Sequence, residues 1–354
     1  MKKMTKLLAL LMALAMVFAL AACSKDDGGA SNSPAGTQPS DSQPSESSQP
    51  SDDGSADGET YTIGIVQQMQ HAALDAATQG FQDALTELLG DKVTFDLQNG
   101  QNDPTMCSTI ATGFVSNGYD LIMANATSAL QAAVSATSEI PILGTSVTDY
   151  AVALADDSMD ATVGTGINVS GTSDGVPAQM YADLMKELLP DATKISIVYC
   201  SGEPNSVLQA DQFIECMEAQ GATCTVYTFS DSNDMQAVVT AAIEDCDALY
   251  IPTDNTAASN MTIVANVCEP AGIPVICGEE GMCGAGGLAT VSISYYDIGY
   301  ECGKMAYEIL VNGADVSAMP IGYSANPVKE YNADYAEAIG FTMPEGFDVI
   351  ETEG

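Results

Sequence analysis

Short hydroxyl, amide and acidic side chains gather at six places along the chain, each directly after a run of apolar residues. The six places are residues 67–71, 125–128, 145–149, 201–206, 253–256 and 278–281. Ser, Thr, Asn and Asp are preferred helix N-caps, so helix capping alone explains any one of these places. If the six converge on one surface, they can surround a small polar molecule with hydrogen-bond donors and acceptors.

The side chains at these places suit a molecule that carries both a carboxylate and an ammonium group. Thr127, Ser128 and Ser206 are the candidate donors to the carboxylate, since their hydroxyls lie at predicted helix N-termini, where the helix dipole is positive. Asp149 or Asp254 is the candidate partner of the ammonium group, because a cation taken out of water needs a carboxylate. The residues expected to orient or enclose the molecule are Gln68, Thr148, Asn205, Asn255, Tyr150 and Tyr295.

The charge of the chain indicates which partners it disfavours and which groups can hold a carboxylate ligand. The chain has 48 Asp and Glu residues against nine Lys and Arg residues, which gives a net charge of −39. Such a surface repels nucleic acid and anionic lipid, so neither is expected as a partner. All nine basic residues are lysine. A carboxylate ligand must therefore be held by lysine, hydroxyls or helix N-termini, because no guanidinium group is present.

Strand and helix patterns alternate from Tyr61 onward, and the same alternation restarts near Lys194. The predicted strands are residues 61–66, 93–97, 120–124 and 141–147, then 194–199, 223–229, 248–252 and 274–277. Two such series predict an α/β protein with two doubly wound, Rossmann-like lobes that are joined by a hinge and face each other across a cleft. Such sheets bind ligands beyond the carboxyl ends of their strands, which is where the six polar places lie.

The predicted division of the chain makes it cross between the lobes three times. The first lobe comprises residues 61–170 and 294–322, and the second comprises residues 171–293 and 323–354. The closing segment Val291–Tyr295 and the predicted helix Ile298–Leu310 after it are expected to return to the first lobe. About 300 residues are enough for two lobes that each have a core.

The N-terminus carries the pattern of an exported, lipid-anchored protein. A basic segment precedes the apolar residues 7–20, a run too short for a membrane-spanning helix. The run ends in Leu-Ala-Ala-Cys23, which matches a bacterial lipobox and predicts a signal peptide at residues 1–22 with Cys23 lipidated. Residues 24–60 are rich in Ser, Asp, Gly and Pro, so they are predicted to be a disordered linker. The protein is therefore expected outside the cytoplasm, attached to the cell membrane only through lipid.

Catalytic and metal-binding patterns are weak. The other nine cysteines show no Cys-x-x-Cys spacing and no accompanying histidine cluster, so no metal site and no cofactor are predicted. Residues 171–175 fit the Gly-x-Ser-x-Gly motif around Ser173, but the only histidine, His71, precedes the serine, and this hydrolase motif requires it afterwards. Residues 284–289 fit a dinucleotide fingerprint but lead into a strand and not a helix. The protein is predicted not to be an enzyme, with a hydrolase using Ser173 as the lesser alternative.

An ordered series of loop motifs resembles one protein family. The motifs are Gln68, His71-Ala-Ala-Leu-Asp75, Asn125-Ala-Thr127, Val147-Thr-Asp149, Asn168-Val-Ser-Gly171, Glu203-x-Asn-Ser206, Pro252-Thr-Asp-Asn-Thr256 and Tyr295-Tyr-x-Ile-Gly299. They are similar to those of the tryptophan/tyrosine-type substrate-binding lipoproteins of ABC importers, which have the type I periplasmic-binding-protein fold. The family pattern has proline at the positions of Ala72, Ser128 and Tyr150. Tyr150 would enlarge its loop, so the ligand can differ from the aromatic amino acids of the family.

The resemblance implies a function as well as a fold. It implies a monomer that captures a small amino-acid-like ligand between two lobes by hinge closure, with an ABC permease and its ATPase as partners. A ligand-sensing receptor domain for a membrane signalling partner is the alternative, because that role would use the same two-lobed domain.

The lipobox makes a direct prediction about Cys23. Without its thiol, the Cys23→Ser variant cannot be lipidated and is expected to be secreted or retained as an unprocessed precursor. Labelling cells with a radioactive fatty acid and isolating the protein checks this. Label at the N-terminus of the variant would contradict the assignment.

Overall fold

A computed structural model of the chain describes residues 59–324 and 326–351. The predicted signal peptide, the predicted lipidation site Cys23 and the linker up to residue 58 lie outside the described residues. No helix among the described residues is long and apolar enough to cross a bilayer.

Strands and helices alternate along the described residues. The strands are β1 (Tyr61–Gln67), β2 (Val93–Asn99), β3 (Leu121–Asn125), β4 (Ile142–Thr145), β5 (Val169–Ser173), β6 (Lys194–Cys200), β7 (Thr223–Phe229), β8 (Ala248–Ile251), β9 (Val275–Cys277), β10 (Ala289–Ser292), β11 (Gly322–Tyr323), β12 (Val328–Tyr331) and β13 (Asp348–Val349). The α-helices are α1 (Ala72–Leu89), α2 (Pro104–Ser116), α3 (Thr127–Ala136), α4 (Tyr150–Leu154), α5 (Ala178–Leu188), α6 (Pro204–Ala219), α7 (Ser232–Ala242), α8 (Asn255–Ala258), α9 (Met261–Ala271), α10 (Glu280–Gly286), α11 (Tyr295–Leu310) and α12 (Ala333–Ala338).

The strands form two separate sheets, and each sheet with its helices is called a lobe below. The six-stranded sheet of the first lobe has the order β11-β5-β4-β3-β1-β2, and every neighbouring pair is parallel. The seven-stranded sheet of the second lobe has the order β13-β12-β10-β9-β8-β6-β7, with one antiparallel pair, β10 and β12. Since helices connect the parallel strands, this is the doubly wound α/β class that the sequence predicts.

Two of the predicted lobe boundaries are too early. The boundary after residue 170 falls inside β5, and the boundary after residue 322 falls inside β11, because Tyr323 pairs with Ser173 in the first sheet. The end of β5 is hard to recognise because it contains Gly171. A Cβ at this position would lie 1.9 Å from the carbonyl oxygen of Gly144, so only glycine allows β5 to approach β4 this closely.

Both lobes have cores built from buried strand residues and the helices that cover them. In the second lobe, the rings of Phe213 and Tyr250 stack with their centroids 3.9 Å apart. In the first lobe, Ile63 and Phe81 are buried on one face of the sheet together with Cys302 of α11. Helix α11 follows β10 of the second sheet and packs in the first lobe, so it carries one of the crossings between the lobes.

Glycines allow α11 to lie directly against α1. A Cβ on Gly299 would lie 1.9 Å from the carbonyl oxygen of Ala77, and a Cβ on Gly80 would lie 2.1 Å from the carbonyl oxygen of Tyr296. These contacts are with backbone atoms, which cannot move aside as the end of a flexible side chain can. The two helices therefore depend on glycine at their closest approach.

The Gly299→Ala variant is expected to unfold more easily than the wild type, by at least about 1–3 kcal/mol, because the added methyl group forces α1 and α11 apart. Gly113→Ala is the matched control, since no atom lies within 4 Å of a Cβ at this position of α2. Alanine there should stabilise the protein by about 0.5–1 kcal/mol. Urea denaturation measures both. Equal effects of the two substitutions would contradict the close packing of α1 and α11.

Candidate functional site

The two lobes meet where loops at the carboxyl ends of their strands face each other. The imidazole Nε2 of His71, after β1, lies 3.1 Å from Oδ1 of Asn255, after β8. The side-chain amide of Asn102, after β2, donates to the hydroxyl of Thr256 over 2.8 Å. The hydroxyl of Ser259 donates to the carbonyl oxygen of Gln70 over 3.4 Å. These contacts join the two lobes at the side of β1, β2 and α8.

In the second lobe, Asn255 and Thr256, which contact His71 and Asn102, both donate hydrogen bonds to Glu203. Its Oε2 accepts from the backbone and side-chain amides of Asn255, over 2.9 and 2.8 Å. Its Oε1 accepts from the backbone N–H and the hydroxyl of Thr256, over 2.8 and 2.7 Å. Burial lowers the pKa of His71, so its imidazole is neutral near pH 7. Its Nε2 donates to Oδ1 of Asn255, while the amide nitrogen of Asn255 donates to Glu203. One buried carboxylate thus fixes Asn255 and Thr256, two of the side chains that reach the first lobe.

Gln68 organises the first-lobe side of the cleft, as a buried residue at the end of β1. Its Nε2 donates to Oδ1 of Asn102 over 3.0 Å, and its Oε1 accepts from the backbone N–H of Ser128 over 3.1 Å. It therefore links the bridging residue Asn102 to the N-terminus of α3. The predicted site residue Thr127, which begins α3, is also buried.

Two strained residues lie side by side next to Thr127. Ala126 has φ 83° and ψ 164°, a backbone region that is almost reserved for glycine, and Ser146 has φ 54°. The N–H of Ala126 donates to the carbonyl oxygen of Thr145, which joins the two turns. The hydroxyl oxygen of Ser146 is buried and has no hydrogen-bond partner among the described residues. Backbone strain and an unpaired hydroxyl at strand ends are typical of binding sites.

The other predicted residues of the second lobe bond mainly within their own lobe. The side-chain amide of Asn205 donates to the carbonyl oxygen of Thr253 over 2.7 Å, and the hydroxyl of Ser206 donates to the same oxygen over 3.3 Å. The side-chain oxygen of Gln209 accepts from the N–H of Thr253 in the loop after β8. The loop after β8 is therefore positioned by side chains of α6.

Both aspartates that the sequence suggests for an ammonium group are helix caps. The half-buried Asp149 accepts from the N–H of Val152 in α4. The fully buried Asp254 accepts from the N–H groups of Ala257 and Cys200, over 2.8 and 2.7 Å. Burial and the nearby Glu203 raise the pKa of Asp254 to about 8. The two oxygens of Asp254 are already occupied by backbone amides.

Tyr150 does not form the predicted wall of the cleft. Its ring is buried in the core of the first lobe, and its hydroxyl donates to the carbonyl oxygen of Thr172. The hydroxyl of Ser173, the nucleophile of the hydrolase alternative, donates to the carbonyl oxygen of Thr148 and accepts from the N–H of Gly175. Ser173 therefore fixes a turn beside the predicted site residue Thr148.

Tyr295, the second predicted wall residue, lies at a cluster of buried acids. Its hydroxyl donates to Oδ2 of Asp174 over 2.8 Å. Tyr295 and Glu279 line a cavity of about 540 Å³ that also touches Ala72 of the first lobe. A larger cavity of about 700 Å³ lies between α11 and residues 319–324 and is not between the lobes.

Sequence reasoning missed Asn102, Glu203, Asp174 and Glu279. Glu203 and Glu279 lie in loops that the sequence predicts to be polar. Their side chains are longer than those of the typical helix caps, so capping preferences do not point to them. Asn102 has φ 58°, but nothing local shows that its partner is in the other lobe. The nine cysteines among the described residues are all unpaired, and no group of three or more His, Cys, Asp or Glu residues among them is placed to hold a metal ion.

Comparisons with known proteins place this architecture in a family. A sequence model of the ABC transporter substrate binding protein family matches residues 62–353. A protein named tyrosine-binding protein, from Clostridioides difficile, is 38% identical over 262 residues, covering 73% of this chain and 75% of the relative.

Two solved structures are matched over their entire length. One is described as an ABC domain in complex with L-Trp from Streptococcus pneumonia, with 31% identity, a TM-score of 0.78 and coverage of 82% of this chain and 100% of that chain. The other is a ligand-free, open structure of a substrate binding protein with adhesive properties from Clostridium difficile, with 37% identity, a TM-score of 0.64 and coverage of 83% and 100%. These matches confirm the predicted two-lobed fold.

The buried Glu279 predicts how stability depends on pH. Its burial raises its pKa to about 7, so between about pH 4.5 and pH 7 the folded chain holds a proton that the unfolded chain has lost. The free energy of unfolding should therefore fall as the pH rises through this range. The free energy of unfolding of Glu279→Gln should fall less between pH 5 and pH 8 than that of the wild type. Urea denaturation at both pH values, with the exposed neighbour variant Glu280→Gln as control, checks this. Parallel profiles for the wild type and Glu279→Gln would contradict it.

Proposed function

Because this chain belongs to the family of ABC transporter substrate-binding proteins, we propose that it captures a small amino-acid-like ligand outside the cytoplasm and delivers it to an ABC permease and its ATPase. The names of the relatives support an aromatic amino acid as the ligand, since one is a tyrosine-binding protein and another holds L-Trp. In this proposal the lipid on Cys23 keeps the protein at the membrane, and residues 24–60 let the two lobes reach the permease.

The arrangement of the lobes supports capture by hinge closure. The overall structure matches the L-Trp complex more closely than it matches the ligand-free, open relative, although the sequence is more similar to the open one. The bridges from His71 and Asn102 to the second lobe can form only when the lobes are close together. A ligand that contacts both lobes favours this closed form through its differential affinity for the two states.

The carboxylate of the ligand is proposed to bind at the start of α3. Thr127 and Ser128 begin this ten-residue helix, so its positive dipole end faces the turn that also contains the unpaired hydroxyl of Ser146. Ser206 would complete the site from the second lobe. The residues proposed to orient or enclose the ligand are Gln68, Thr148, Asn205, Asn255 and Tyr295. A helix N-terminus takes the place of the arginine that this chain lacks.

The proposal is tested by thermal denaturation of the mature chain, with Cys23→Ser to keep it free of lipid, against the common amino acids and a set of sugars. An aromatic L-amino acid at 100 times its dissociation constant should stabilise the protein by about 2.7 kcal/mol. That corresponds to a rise in the melting temperature of roughly 3–5 °C for a protein of this size. Stabilisation by sugars and by no amino acid would contradict the proposal.

The Asn102→Ala variant tests closure with the ligand found in that screen. It removes one bridge, which is worth about 0.5–1.5 kcal/mol, so calorimetry should show roughly 2- to 12-fold weaker binding. Small-angle scattering should show a larger ligand-free radius of gyration than that of the wild type. Asn117→Ala, at an exposed helix end in the same lobe, is the control and should change neither value. An unchanged affinity in Asn102→Ala would remove the bridge from the closure mechanism.

A further inference from the structure

Asp174 is a buried carboxylate with half of its hydrogen-bonding capacity unused. Its side chain follows β5 and is only 4% exposed. Oδ2 accepts from the hydroxyl of Tyr295, whereas Oδ1 is buried and has no partner of acceptable geometry among the described residues. The Thr148 hydroxyl lies close enough to lower the pKa of Asp174, but burial outweighs this and raises that pKa. A buried carboxylate in this situation is unfavourable unless something else binds it.

The other acids around the cleft are satisfied by the protein itself. Glu203 accepts four hydrogen bonds, and Asp254 accepts from two backbone amides. Glu279 accepts from the N–H groups of Gly281 and Met282 at the start of α10. Asp174 differs from them because no other described residue donates a backbone N–H to it.

No lysine among the described residues neutralises Asp174. Each one is exposed, forms an ion pair with another acid or donates to a backbone carbonyl, and they are Lys92, Lys186, Lys194, Lys304 and Lys329. The only histidine is neutral and bonded to Asn255. The described residues therefore leave Oδ1 of Asp174 available to the cationic group of a ligand.

The position of Asp174 suits contact with a ligand between the lobes. It stands at the carboxyl end of β5, where the chain leaves the first lobe, beside the turn that contains Thr148. Tyr295, which holds its Oδ2, also lines the cavity of about 540 Å³, but Asp174 does not line this cavity and touches it only through Tyr295. The side of Asp174 that carries Oδ1 is therefore expected to meet a ligand at the strand ends, beside the Thr148 turn.

We propose that Asp174 receives the ammonium group of the ligand, with Oδ1 accepting its N–H and Tyr295 holding Oδ2 as a positioning residue. This inference rests on the proposed function and replaces Asp149 and Asp254 in the ammonium role. Asp174 then selects ligands that carry a primary ammonium group and rejects analogues in which hydrogen replaces it. Discrimination follows because an analogue without the cation would leave the buried carboxylate unpaired.

Calorimetry with the mature chain tests this with two probes, L-tyrosine and its deaminated analogue 3-(4-hydroxyphenyl)propanoate. If L-tyrosine does not bind, L-tryptophan or L-phenylalanine is used with the corresponding analogue. The wild type should prefer the amino acid by about 100-fold or more. Asp174→Asn keeps the size of the side chain and an acceptor for Tyr295 but removes the charge. It should bind the amino acid about 30-fold or more weakly and bind the analogue nearly as the wild type does, so the preference collapses.

Two control variants separate an ammonium partner from a structural residue. Tyr295→Phe keeps the carboxylate and should retain most of the preference for the amino acid, although both probes bind somewhat more weakly. Asp149→Asn should retain both the affinity and the preference. Equal weakening of the two probes in Asp174→Asn would show a structural role and overturn the inference.

The outcomes for the wild type distinguish this inference from the proposed function. A wild type that binds the amino acid and its deaminated analogue equally overturns the inference, even if Asp174→Asn fails to fold. Unchanged affinity of a folded Asp174→Asn for the amino acid overturns the inference and leaves the proposed function standing. Failure of the wild type to bind any amino acid overturns both.

Discussion

The contact between the lobes depends on the buried carboxylate of Glu203. Both side-chain bridges across the cleft end on it, one through Asn255 and the other through Thr256. A charged acceptor makes such hydrogen bonds about twice as strong as neutral ones and fixes the direction of each donor. Without this carboxylate, the two residues that reach the first lobe would keep their sequence positions but lose their orientation. The direction of each bridge is thus set by contacts within the second lobe.

The lack of arginine explains why carboxylates in this protein bond so often to backbone amides. With six lysines beyond the predicted signal peptide, few side-chain cations are available for 48 acids. Buried acids such as Asp254 and Glu279 therefore take N–H groups at helix starts, which offer partial positive charge without a side chain. The same geometry suits the carboxylate of a ligand at α3. It does not satisfy Asp174, which accepts no backbone N–H from a helix start among the described residues.

Local patterns predict the fold, whereas the roles of the site residues depend on contacts between distant parts of the chain. Alternating apolar runs and helix periods identify both βα series, because these signals depend only on neighbouring residues. The end of β5 is hard to predict because it contains Gly171. Glycine is required there by the close approach of the Gly144 backbone in the neighbouring strand, which the local sequence does not show. Capping and ligand binding prefer the same residue types, so the sequence does not separate the two roles for Asp149 and Asp254, which cap α4 and α8. Asn102 and its partner Thr256 are 154 residues apart, so only the folded chain relates them.

The strength of the bridges bears on how the closed form is maintained. A hydrogen bond between side chains contributes about 0.5–1.5 kcal/mol after its exchange with water, so two or three such bonds supply only a few kcal/mol. Closing the lobes also removes water from polar walls that contain the unpaired atoms of Ser146 and Asp174, which opposes closure. In the proposed hinge-closure mechanism, the bridges alone would leave the open and closed states close in free energy. A ligand that satisfies both unpaired groups would add the interactions that the empty closed form lacks, and this difference would shift the population.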